Sequence, residues 1–164
     1  MISGRRTARE VALLVLYSVD VGNRKDYSEA LTEFKAGLSD DLEVLTDLLG
    51  HSAYDPAPQS LLDKARTNLG PSGPHWEFVE RMVAGVASHS KAIDDLIERF
   101  SLNWKVSRMG RVDRNILRLA AYELAFEPDV PSRATLNEAI EIAKRFGTED
   151  SGKFVNGILD RIAQ

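Results

Sequence analysis

The chain has 164 residues, 43% apolar and 28% charged, the balance of a globular protein with one domain or two small helical subdomains sharing a core. A formal net charge of −4 excludes general affinity for polyanions, so any nucleic-acid contact must come from a local concentration of positive charge. The absence of cysteine excludes a disulfide framework and a thiolate zinc site. No apolar run approaches the roughly 18 residues of a membrane span. Met1 to Arg9 also lacks the apolar stretch of a secretory signal, and these absences fit the cytoplasm.

From Thr7 to Val19, Ala8, Val11, Ala12, Leu14 and Val15 recur at helical intervals, and Thr7 with Glu10 reads as a capping box. Gly22-Asn23 should stop this helix, and amphipathic stretches follow at Ser28 to Gly37 and Ser39 to Leu49. Between Gly50 and Pro74 lie four of the six prolines, which predicts a variable connection holding one short helix, Gln59 to Leu69. His75 to Phe100 is helical, with Trp76, Val79, Val83 and Val86 on one face and a kink or restart at Ser88-His89-Ser90. Arg108 to Phe126 is apolar over much of its circumference and belongs in the middle of a bundle.

Pro128 and Pro131 end that helix, and the next begins near Ser132 or Thr135, where Thr135 and Glu138 form a second capping-box pattern. Gly147 is its expected C′ residue, and Lys153 to Ala163 is the last helix. No stretch sustains period-two alternation, so the fold class is all-α, without a sheet.

Arg5, Arg6 and Arg9 crowd a helix N-terminus, where the macrodipole already favours anions; together they suit phosphate, or form a solvated terminus. Tyr17 follows Arg9 by eight residues, on about the same helical face, and its ring could stack on an unpaired base or belong to the core. Lys153, Phe154 and Asn156 at the last helix combine basic, aromatic and amide groups that suit single-stranded RNA, unless the loop merely buries Phe154. Arg108, Arg111, Arg114 and Arg118 form either a basic stripe or a solvated face, and Asp113 among them could pair with a neighbour.

Gly147 to Lys153 satisfies most of a G-x-x-x-x-G-K phosphate loop, but Phe154 replaces the hydroxyl residue, a helix precedes it, and Glu149 and Asp150 would face the phosphates. His51, His75 and His89 are scattered, and Asp94-Asp95 reads as an ordinary polar face. No catalytic set, metal site or cofactor is expected, and the chain reads as no enzyme.

Three stretches carry a resemblance. Arg5-Arg6-Thr7-Ala8-Arg9-Glu10 through Leu16-Tyr17 resembles the arginine-rich start of the NusB transcription antitermination family. Val112 to Leu124 resembles its central helix. Asn137 to Gly147 and Asp150 to Asp160 are similar to its C-terminal signature. Thr7 stands where some relatives have a third arginine, and residues 50–74 have no clear counterpart.

The resemblance implies two three-helix subdomains, about 1–74 and 75–164, joined by a shared helix. It implies binding of boxA-type single-stranded RNA together with the small-subunit ribosomal protein NusE, within an RNA polymerase antitermination complex acting on ribosomal RNA operons. It assigns RNA contact to Arg5, Arg6, Arg9, Tyr17, Lys153 and Phe154, and partner contact to Asp113, Arg114 and Asp150. A homodimer stays open and could cover the arginines. One rival is the helical domain of a ribosomal RNA cytosine methyltransferase, which needs a following cofactor domain and a cysteine that this chain lacks. A helical adaptor binding only proteins is the other.

Overall fold

The computed structural model describes residues 4–40, 59–69 and 73–164. Among the described residues the fold is all-helical: α1 (Gly4–Val21), α2 (Tyr27–Asp40), α3 (Gln59–Leu69), α4 (Pro74–Ser88), α5 (Ser90–Phe100), a 3-10 turn (Val106–Arg108), α6 (Arg111–Phe126), α7 (Ser132–Phe146) and α8 (Ser151–Ala163). The chain divides into two compact units, Met1–Arg81 and Met82–Gln164, and the division falls within α4.

In the first unit α1, α2 and α3 pack on one another. Thr7 does not cap α1, because the helix already starts at Gly4, and both Thr7 and Glu10 are buried within it. The predicted stop is real and has a defined geometry. Asn23 takes the left-handed conformation (φ 49°), and the Arg24 N–H reaches the Val19 carbonyl at 3.0 Å while Asn23 N–H reaches Asp20 at 3.2 Å. That is the Schellman pattern, with Asn in place of the usual glycine.

Asp26 then caps α2, its Oδ1 accepting the Ser28 and Glu29 N–H groups at 2.9 and 3.1 Å. Arg24 grips Glu33 by two bonds and lies 3.3 Å from Glu29; these carboxylates raise its pKa above the ordinary value. α2 runs unbroken through Gly37 to Asp40, so the expected break before Ser39 is absent. The rest of the predicted stretch to Leu49 lies outside the described residues, as does His51. Trp76 on α4 is buried, and its indole N–H donates to Glu80 at 2.7 Å.

In the second unit α6, α7 and α8 pack against one another, and α5 lies on α6 and α8. The restart at Ser88-His89-Ser90 is present: α4 ends at Ser88 and α5 begins at Ser90, with His89 Nδ1 3.0 Å from the Gly85 carbonyl. α6 starts at Arg111 rather than Arg108, whose backbone belongs to the 3-10 turn. Ile116, Leu117, Leu119, Ala120 and Ala121 are buried, as the circumference of apolar residues predicts.

Thr135 does not cap α7 either. It lies a turn inside the helix, buried, and its hydroxyl donates to the equally buried Glu123 at 3.1 Å. Gly147 ends α7 but is extended (φ −93°, ψ −165°), not left-handed. Space explains the glycine: a Cβ there would overlap the Ser151 side chain and lie 2.7 Å from the Ala143 carbonyl. Ser151, not Lys153, opens α8. No helix among the described residues is long and apolar enough to cross a membrane.

Candidate nucleic-acid interface

The arginine group lies at the start of α1. Helix formation from Gly4 places Arg5, Arg6 and Arg9 in the first two turns, with no acid in the first turn to offset them. Arg5 is exposed, whereas Arg6 is half-buried and already engaged within the protein. Arg9 is 5% exposed, its guanidinium 5.4 Å from the centroid of the Phe78 ring. Burial runs all round α1 from Thr7 to Leu13, so only its ends reach solvent.

Tyr17 is 37% exposed at the other end. The expected common face with Arg9 is not found: eight residues turn a helix about 80° beyond whole turns, and Arg9 is buried where Tyr17 is exposed. Arg5 and Tyr17 lie about 18 Å apart along the helix, a span of several nucleotides.

The second group belongs to the other unit. Gly147 to Lys153 runs through the turn after α7 into the first residues of α8, and the Ser151 hydroxyl closes the turn by accepting the Thr148 N–H at 2.9 Å. A helix precedes this segment, as the argument against a phosphate loop requires. Asp150 occupies the N-cap position with its carboxylate making no capping bond, and it is exposed. Lys153 is exposed, and Phe154 is half-buried against Trp104 in an edge-to-face contact, centroids 6.0 Å apart at 78°.

The arginine stripe divides by partner. Arg118 is bound bidentately to Asp94, so Asp94 belongs to an inter-helix clasp rather than a plain polar face. Arg114 points its Nη1 at the Ser107 and Met109 carbonyls, at 3.4 and 3.5 Å. Asp113 is half-buried in the first turn of α6, where its charge complements the helix dipole. Arg108 and Arg111 are exposed. Among the described residues no group of His, Asp and Glu is gathered as a metal site.

Trp104 escaped the sequence reading. It is 53% exposed on the loop after α5, and helical periodicity gives no signal for a residue that lies in no helix.

The NusB family model matches residues 6–164. The transcription antitermination protein NusB of Geotalea daltonii is 41% identical over 162 residues, 99% of this chain and 95% of that one. That of Myxococcus xanthus is 39% identical, over 99% and 96%. The solved structure of T. maritima NusB aligns with a TM-score of 0.68 at 37% identity, covering 99% of this chain and 92% of that one. A structure of antitermination factors NusB and NusE in complex with double-stranded RNA aligns at 0.69 with 25% identity, over 99% and 98%. The chain therefore belongs to the NusB family of transcription antitermination proteins, which are not enzymes.

Proposed function

We propose that this chain binds boxA-type RNA jointly with the ribosomal protein NusE, and that the assembly loads onto RNA polymerase to promote processive transcription of ribosomal RNA operons. The observation that carries this reading is the match, over 99% of the chain, to a NusB solved with NusE and RNA. Such a function puts the protein in the cytoplasm. A homodimer covering Arg5 would compete with RNA.

RNA contact falls to Arg5, Arg6, Tyr17, Lys153 and Phe154, with Arg9 behind them. Exposed Arg5 and Lys153 supply phosphate contacts, while Tyr17 and Phe154 offer rings to unpaired bases. Arg6 contributes what its half-buried head leaves open, and Arg9, held over Phe78, positions the first turns of α1. Asp113, Arg114 and Asp150 are the partner-contact residues.

The test is binding of a short boxA-like RNA and a scrambled RNA of equal length, with and without NusE, across several salt concentrations. Phosphate contacts by Arg5, Arg6 and Lys153 give a log–log salt slope of about −2, at roughly 0.7 counterion per contact. Preference for boxA, tightening by NusE, and a slope flattened by Arg5→Ala with Arg6→Ala are expected. Equal weak binding of both RNAs, unchanged by NusE, would instead leave a protein-binding adaptor.

A further inference from the structure

We infer that Trp104 is a base-stacking residue for single-stranded RNA, forming with Phe154 an aromatic platform flanked by Lys105 and Lys153. The inference rests on the RNA-binding reading above and adds a residue from a different element.

The platform is built from both ends of the second unit's sequence. Arg161 on α8 donates to the Phe100 carbonyl at 2.7 Å, tying the last helix to the end of α5. From there the chain turns through Leu102 and Asn103, both left-handed at φ 50° and 81°, a conformation that L residues seldom adopt. The Ser101 hydroxyl donates to the Trp104 carbonyl at 2.7 Å, and the Glu98 carboxylate accepts the Val106 N–H at 3.0 Å. The loop is thus strapped on both sides of Trp104. Edge-to-face packing on Phe154 steadies the indole while Trp104 as a residue stays 53% exposed.

The surrounding charge selects the occupant. Each ring has a lysine next to it in sequence, Lys105 after Trp104 and Lys153 before Phe154, and both lysines are exposed. Protein interface cores enrich aromatic residues but deplete lysine. Nucleic-acid surfaces use the two together, the rings for bases and the cations for the backbone. Glu98 partly neutralises Lys105 at 3.4 Å, and Glu149 and Asp150 are exposed in the turn before α8, so the local field is mixed. Continuity with Lys153 and Phe154 decides for RNA over a protein partner.

The experiment compares the full chain with Trp104→Ala, Trp104→Phe and Lys153→Ala for binding of a labelled single-stranded boxA-like RNA. Circular dichroism checks that each variant is folded. Trp104→Ala should weaken binding about tenfold without changing the salt slope, because stacking releases no counterion. Trp104→Phe should recover most of that loss, and Lys153→Ala should flatten the slope by about 0.7.

Intrinsic fluorescence gives a second readout, since the only other tryptophan, Trp76, is 1% exposed. RNA should quench wild-type emission and leave Trp104→Phe unchanged. Wild-type affinity in Trp104→Ala, or unquenched emission at saturating RNA, overturns the inference while leaving the RNA-binding reading intact. Loss of NusE binding with RNA binding unaltered reassigns the platform to protein and also overturns it. A wild-type chain that binds no RNA overturns both together.

Discussion

Arg118 closes on both oxygens of Asp94, Nε to Oδ1 at 2.9 Å and Nη2 to Oδ2 at 3.1 Å, while its Nη1 donates to Asn115 Oδ1 at 3.2 Å. The planar guanidinium suits this fork, and the pair joins α5 to α6 across 24 residues of sequence. One of four regularly spaced arginines is therefore a fastener of the helix pair. Arg118→Ala should destabilise the protein by about 1–2 kcal/mol, a value reduced for the pair's partial exposure. Thermal unfolding would show this as a midpoint lower by a few degrees, with the RNA salt slope unchanged. A slope flattened by about 0.7 at unaltered stability would instead make Arg118 a phosphate contact.

Gly85 carries a different constraint. It is buried inside α4, where alanine would ordinarily gain up to about 1 kcal/mol of helix propensity. A Cβ there would overlap ring carbons Cζ and Cε2 of Tyr122. The ring cannot easily retreat, because Phe126 stacks on it at 5.3 Å and His89 lies 6.1 Å away. Overpacking of this kind costs about 1–3 kcal/mol, so Gly85→Ala should lower the urea midpoint. Tyr122→Phe should not rescue it, since the overlap is with the ring and not with the hydroxyl alone. A raised midpoint in Gly85→Ala would show that propensity outweighs the clash.

The places where sequence reasoning succeeded and failed follow from the range of the forces involved. Asn23, the break at Pro128 and Pro131 and the apolar circumference of α6 act locally, and each was legible. The two Thr-x-x-Glu patterns were not capping boxes, because the same spacing also describes polar residues inside a helix. Thr135 finds Glu123 on the neighbouring helix, and no local rule reports a partner twelve residues away. Asp94 was read as solvated for the same reason. At the candidate interface, residue types were legible but exposure was not: Arg5 and Arg9 look equivalent in sequence, yet one is exposed and the other rests on Phe78.

The loop after α5 stores backbone strain that can be measured. A left-handed L residue costs about 1–2 kcal/mol, and asparagine tolerates the region better than leucine. Leu102 is 65% exposed, so replacing it sacrifices little apolar burial. Leu102→Asn should therefore stabilise the protein by up to about 1 kcal/mol, raising the melting midpoint by about 2–4 °C. Asn103→Val, which places a β-branched side chain at φ 81°, should do the reverse. Equal midpoints for all three proteins would remove the strain argument.

Arg5 and Arg9 provide the sharpest division between contact and support. Arg5 is exposed at the start of α1, so Arg5→Ala should flatten the RNA salt slope by about 0.7 and leave thermal stability unchanged. Arg9 has its guanidinium over Phe78 and almost no exposure, so Arg9→Ala removes a packed cation and its aliphatic stem. It should cost about 1–3 kcal/mol of stability, and Arg9→Lys should restore part of that by keeping a cation near the ring. RNA affinity should fall in Arg9→Ala through disorder at the head of α1, with the loss shrinking as temperature is lowered and the fold is restored. If Arg9→Ala flattened the slope like Arg5→Ala while melting at the wild-type temperature, Arg9 would touch phosphate directly, and α1 would have to release it from Phe78 on binding.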